Sequence, residues 1–123
     1  MLSYWGKHLI LNARQCCPIA IGNPRIIEHF LTDIVKKIDM KAYGRPQIMH
    51  FGEGTKSGYT AVQLIETSNI ILHLCDESGD GYFDVHSCKN FDEYVAKAVI
   101  QEWFKPRQID MKIVLRDAKF PMQ

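Results

Sequence analysis

Three side chains able to do covalent or proton-transfer chemistry stand close together in mid-chain: Ser68, His73 and Cys88. A serine hydroxyl is a weak nucleophile that needs a nearby base and a held geometry. An imidazole is the side chain suited to act as that base near neutral pH. A free cysteine is either a reactive thiol or a small core hydrophobe. Taken singly, each has a plain structural explanation. Thr67-Ser68-Asn69 has the composition of a turn, a strand histidine usually sits in a satisfied sheet position, and a strand-end cysteine usually packs. The set and its spacing carry the inference.

The elements around them make a geometric expectation. Ile70-Ile71-Leu72-His73-Leu74-Cys75 reads as a strand, Asp76-Glu77-Ser78-Gly79-Asp80-Gly81 as a hairpin turn, and Tyr82 to Cys88 as an alternating return strand. A turn centred on Ser78-Gly79 sets Tyr82 against Cys75 and Asp84 against His73. Cys88 then lies opposite Asn69, beside Ser68. Alternation places Asn69, Ile71, His73 and Cys75 on one face with Tyr82, Asp84, His86 and Cys88. Serine, histidine and cysteine are thereby expected to converge near one sheet end.

The remaining chain supplies a scaffold. Residues 4–12 read as a buried strand around His8-Leu9-Ile10-Leu11. Asn23 caps a helix with Pro24 at its first position, and Ile26, Ile27, Phe30, Leu31, Ile34, Val35 and Ile38 form its apolar face. Strands follow at about 46–51 and 58–66, joined by a glycine-rich loop. Asn90 and Glu93 resemble a capping box for a second helix, whose apolar face is Phe91, Tyr94, Val95, Ala98, Val99 and Trp103, and which Pro106 stops. A last strand covers 109–116. The order predicts an α+β domain spanning 1–123: an antiparallel sheet with two helices packed on one face. A chain of 123 residues with 46% hydrophobic content buries only a thin core. The other sheet face is then left to an oligomer, in a four-layer or sheet-sheet sandwich.

Composition narrows the function classes. Net charge is +1 with the signs interspersed, so no basic stripe suggests nucleic acid. No apolar run approaches the length that crosses a bilayer. The N-terminal residues lack a leader pattern, so a cytoplasmic location is expected. Cys16, Cys17, Cys75 and Cys88 show no Cys-x-x-Cys pair, which argues against structural zinc. Asp76, Ser78, Asp80, Gly81 and Asp84 imitate part of a calcium loop, but Ser87 stands where the closing glutamate belongs, and a solvated turn is the better reading.

The run Leu64-Ile65-Glu66-Thr67-Ser68-Asn69-Ile70-Ile71-Leu72-His73, followed by Glu77, Asp84-Val85 and Cys88, resembles bacterial and archaeal S-adenosylmethionine decarboxylase proenzymes. Their pattern is L-A-E-S-H-I-S-I-H-T-W-P-E, then D-V-x-x-C, and both gaps fit without insertion. Gly6-Lys7-His8-Leu9-Ile10 with Cys16 is similar to the family's N-terminal G-x-H-L-I…C strand. His50-Phe51 matches its H-H-F strand, and Phe104, Ile109 and Arg116 suit the closing helix and strand.

The resemblance implies that Ser68 attacks the carbonyl of Thr67, that the chain cleaves between them, and that Ser68 becomes an N-terminal pyruvoyl group. His73 would be the processing base, with Thr60 supporting the oxyanion. The pyruvoyl ketone would form a Schiff base with the substrate and act as the electron sink for decarboxylation. Cys88 would be the proton donor, Glu77 would bind ribose and Phe51 would stack on adenine. The product would serve spermidine synthesis, and two protomers would pack sheet on sheet. Thr67 departs from the family's glutamate and Asn69 from its histidine, and His73-Leu74-Cys75-Asp76-Glu77 replaces H-T-W-P-E. These changes surround the pocket, which leaves ornithine or arginine as substrate, or an uncleaved homologue that binds a ligand or partner, as the alternatives.

Overall fold

The computed structural model describes residues 4–122; Met1–Ser3, part of the stretch read above as lacking a leader, lie outside them. Chain order is β1 (Gly6–Arg14), α1 (Pro18–Ile21), α2 (Pro24–Lys37), β2 (Gln47–Phe51), β3 (Gly58–Ile65), β4 (Ser68–Leu74), β5 (Gly81–Ser87), α3 (Glu93–Phe104) and β6 (Gln108–Arg116). The strands form one sheet in the order β2-β3-β4-β5-β1-β6, and every pairing is antiparallel.

The two long helices cover one face. From the sheet, Leu9, Leu11, Ala61, Ile70, Leu72, Leu74, Phe83 and Val85 are buried against Ile27, Phe30, Leu31 and Ile34 of α2 and Val99, Ile100 and Phe104 of α3. Phe30, Phe83 and Phe104 pack as a ring cluster, with centroids 4.9–5.8 Å apart, a spacing that favours edge-on contacts. Among the described residues, no helix lies on the opposite face. Ile10, Met49, Phe51, Leu64, Ile71 and Tyr82 are all exposed there. The α+β architecture expected from periodicity is the one found.

Asn23 caps α2 as expected, its side chain accepting from the Arg25 amide at 2.9 Å. The second helix corrects two expectations. Its cap is Asp92, which accepts from the amides of Tyr94 and Val95, and not Asn90. Glu93 instead receives the Lys7 ammonium at 2.9 Å. The helix's apolar face is in part the expected one, with Phe91 and Val99 buried and Val95 and Trp103 packed against the core, and in part shifted. Ala96, Val99, Ile100 and Phe104 are buried, whereas Tyr94 is 67% exposed and Ala98 is exposed. Burying Ile100 and Phe104 removes more apolar surface from water than burying Tyr94 and Ala98. Trp103 stays half-buried because its indole N–H donates to Asp33 at 2.8 Å.

The β4–β5 register also differs from expectation. Tyr82 pairs with His73, Asp84 with Ile71 and His86 with Asn69, a slip of two residues. The turn is displaced because its tip is tied to the end of β1. The Cys16 amide donates to the Gly79 carbonyl at 2.7 Å, the Gln15 amide donates to the Asp80 carboxylate, and Gly79 takes a φ of +79°. A slip of two keeps every side chain on its face. Asn69, Ile71 and His73 therefore still share the uncovered face with Tyr82, Asp84 and His86.

Candidate active site

The β3–β4 hairpin closes on two residues. Ile65 pairs with Ser68, leaving Glu66 and Thr67 as the link. Two-residue hairpins favour turns with positive φ at one or both linking positions, which suits glycine or asparagine. Neither Glu66 nor Thr67 has a positive φ; Ser68 carries one instead, +152°. Such a value costs a residue other than glycine about 1–3 kcal/mol and persists only where surrounding contacts enforce it.

Those contacts are present. On one side, the Glu66 amide donates to the Lys41 carbonyl at 2.9 Å and the Tyr43 amide to the Leu64 carbonyl at 2.8 Å. On the other, the Cys88 amide donates to the Thr67 carbonyl oxygen at 3.0 Å. That bond polarises the Thr67 carbonyl, which precedes Ser68 in the chain, and it is placed to stabilise negative charge on the oxygen. Gly6 lies alongside, where a Cβ would come within 2.6 Å of the Ser87 carbonyl oxygen.

A second cluster sits at the far end of β3 and β4. The Thr60 hydroxyl donates to Nδ1 of His73 at 2.6 Å, and His73 Nε2–H donates to the Lys56 carbonyl at 2.9 Å. A carbonyl only accepts, so Nε2 carries the proton and Nδ1 presents its lone pair to the hydroxyl. The tight seam beside this pair is set by Gly58, where a Cβ would lie 1.6 Å from the Leu74 carbonyl oxygen. Phe51 ends β2 opposite Gly58 and is 54% exposed. Glu77 is exposed in the β4–β5 turn, at the same end. His50 is also there, its Nε2 held by the Asp76 carboxylate at 2.6 Å.

The expected convergence of Ser68, His73 and Cys88 does not occur within one chain. Thr67, Ser68 and Cys88 gather at one end of β4. Phe51, Thr60, His73 and Glu77 gather at the other, about 16 Å away at ~3.3 Å per strand residue. Asp84 also departs from expectation: its imidazole partner is His8 of β1, at 2.8 Å, because the slipped register sets it against Ile71. The thiols divide by burial. Cys16 is 4% and Cys75 7% exposed. Desolvation pushes the Cys16 thiol up to about 11 and the Cys75 thiol in the same direction, so both act as core hydrophobes. Cys17 and Cys88 are half-buried.

Sequence reasoning missed Ser87, which is fully buried, and Met40, both of which contact Thr67. Ser87 falls at an inward position of the alternating strand β5, which marks it for burial but not for contact with Thr67, and Met40 follows the end of α2, so only the fold brings them to the hairpin.

A family model described as S-adenosylmethionine decarboxylase matches residues 7–117. The chain belongs to the S-adenosylmethionine decarboxylase family. Among relatives of this decarboxylase family, the chain is 32% identical to an S-adenosylmethionine decarboxylase proenzyme of Methanococcus maripaludis over 116 residues, spanning 90% of this chain and 88% of the relative. It is 27% identical to the proenzyme of Pyrococcus horikoshii over 112 residues, spanning 90% and 78%. The adenosylmethionine decarboxylase of Aquifex aeolicus has a similar fold, with a TM-score of 0.81 at 23% identity, over 94% of this chain and 93% of that one. Among the described residues of this family member, no helix is long and apolar enough to cross a membrane.

Proposed function

We propose that this chain decarboxylates S-adenosylmethionine, after cleaving itself between Thr67 and Ser68 to generate its own pyruvoyl group. The observation that carries the reading is the Cys88 amide on the Thr67 carbonyl, 3.0 Å away, in a hairpin whose strain falls on Ser68. The Ser68 hydroxyl adds to the Thr67 carbonyl carbon. The C–N bond breaks as nitrogen takes a proton, and the acyl group moves to the serine oxygen. Loss of the Ser68 Cα proton expels the Thr67 carboxylate, and water then displaces the nitrogen as ammonia. No oxidant is required. The residues at the hairpin fit this group, which supplies an electron sink when carbon dioxide leaves.

Around that chemistry, His73 serves as base with its Nδ1 lone pair held on the Thr60 hydroxyl. The Cys88 thiol returns a proton to the substrate carbon. The Glu77 carboxylate accepts hydrogen bonds from the ribose hydroxyls, and the exposed Phe51 ring stacks on adenine.

The two clusters act together only across a homodimer. Two copies stacked by their uncovered faces, about 10 Å apart, with a two-fold axis running across the strands, set the His73 end of one over the Ser68 end of the other. The exposed Ile10, Leu64, Ile71 and Tyr82 support this packing.

Denaturing mass spectrometry tests the central claim. Two fragments are expected, split before Ser68, the second lighter by one ammonia; Ser68→Ala should stay whole. Carbon dioxide release from S-adenosylmethionine, compared with ornithine and arginine, then identifies the substrate. A wild-type chain that stays whole on long incubation would refute the reading.

A further inference from the structure

We propose that Ser87 is a positioning residue for self-cleavage, acting through the Thr67 side chain; this rests on the self-processing reading above. Ser87 is the cross-strand neighbour of Ser68 and is 0% exposed. Its hydroxyl donates to Thr67 Oγ1 at 2.9 Å and accepts from the Lys89 amide at 2.9 Å. The Thr67 hydroxyl in turn donates to the Met40 sulfur at 3.3 Å. The result is a directed string: Lys89 amide, Ser87 hydroxyl, Thr67 hydroxyl, Met40 thioether.

The string gives Thr67 a second point of attachment. Consecutive residues of the same chain segment grip it, the Ser87 hydroxyl on its side chain and the Cys88 amide on its carbonyl oxygen. One hydrogen bond to the carbonyl leaves the Thr67–Ser68 peptide plane free to swing about that bond. Two attachments remove this freedom and hold the carbonyl carbon in one orientation toward the Ser68 hydroxyl, which is the kind of ordering that accelerates an intramolecular attack. They also help enforce the positive φ at Ser68. The anchor is itself clamped: the Lys89 ammonium donates to the Asp39 carbonyl at 2.6 Å and to its carboxylate at 3.3 Å, tying the segment to the exit of α2. The threonine at 67, a departure from the family pattern, is what provides the hydroxyl for Ser87 to hold.

Cell-free synthesis with a time course of fragment appearance gives the first-order cleavage rate. Ser87→Ala should slow cleavage at least about ten-fold. Thr67→Val, which keeps the shape and removes the hydroxyl, should slow it comparably, and Thr67→Ser should recover most of that loss. The double variant Ser87→Ala/Thr67→Val should be no slower than either single, because both remove the same bond. Val99→Ala, in the core away from the hairpin, controls for stability and should cleave at the wild-type rate. The proposal is overturned if Ser87→Ala and Thr67→Val cleave normally while wild type cleaves, if the two losses multiply in the double variant, or if Val99→Ala slows cleavage equally. If wild type itself stays whole, the self-processing reading fails and this proposal with it.

Discussion

Thr60 and His73 form a hydroxyl–imidazole pair, 2.6 Å from Oγ1 to Nδ1, and face each other across β3 and β4. With Nε2 fixed on the Lys56 carbonyl, the ring has one orientation and one tautomer. Its lone pair points at a hydroxyl that stands on the uncovered sheet face.

His73→Ala should therefore slow self-cleavage by about 10²–10⁴-fold, the range for loss of a positioned base. Thr60→Val leaves the imidazole in place but removes the hydroxyl, and a smaller loss, about 10-fold or more, is expected. Fragment appearance on denaturing gels measures both. Equal rates for His73→Ala and wild type would remove His73 from the mechanism.

Cys88 has two separable contributions. The amide that donates to Thr67 belongs to the backbone and survives substitution, whereas the thiol does not. Cys88→Ala should keep self-cleavage within a few-fold of wild type while lowering clean turnover by about 10²-fold. Carbon dioxide release per cleaved chain separates the two effects. Unchanged turnover would show that the thiol is not the proton donor.

A site shared between subunits predicts complementation. Expressed alone, Ser68→Ala chains should remain whole and His73→Ala chains should stay whole over the time in which wild type is fully cut. Co-expressed, they form a mixed dimer in which Ser68 of the His73→Ala chain meets His73 of the Ser68→Ala chain. The His73→Ala chain should then be cut and its partner should not. Affinity tags on the two chains allow each to be scored by mass. Absence of any cut chain in a mixed dimer that has been isolated as such would refute the shared site.

His86 gives the fold a pH dependence. Burial holds its imidazole below the usual histidine range, helped by the Arg116 and His8 charges. The unfolded chain thus binds a proton at a pH where the folded chain does not, so stability rises with pH across that interval. On acidification the loss begins near the unfolded value of about 6.5 and grows until the folded value is reached. His86→Gln should flatten the fall in melting temperature between pH 7.5 and pH 5.5, read by circular dichroism at fixed protein concentration. A variant whose melting temperature falls as steeply as that of wild type would show that this group is not responsible.

The elements were legible because burial imposes a period that residues must obey. Ile27, Phe30, Leu31, Ile34 and Val35 recur at helical spacing, and Phe83 and Val85 alternate with Asp84 and His86 along β5. The Ser68, His73 and Cys88 candidates were visible from residue type and spacing. The turn register was not, because Gly79 and Asp80 are tied to Gln15 and Cys16, contacts between residues far apart in the chain. The face of α3 was legible only in part for a related reason: Phe91, Val95, Val99 and Trp103 do face the core, but Tyr94 and Ala98 compete with Ile100 and Phe104 for the rest of the stripe, and only the aromatic cluster around Phe30 and Phe83 chooses between them.

By itself, the chain of residues determined which groups are available for chemistry, which strand and helix each occupies, and which side of the sheet most of them share. These follow from local geometry, since spacing along a strand or helix sets orientation whatever the rest of the molecule does. Tertiary structure decided which groups meet. It gave Asp84 to His8, and brought the Cys88 amide, Ser87 and Met40 onto Thr67. Such meetings depend on hydrogen-bonded registers and packing between distant segments, for which neighbouring residues in the sequence supply no signal.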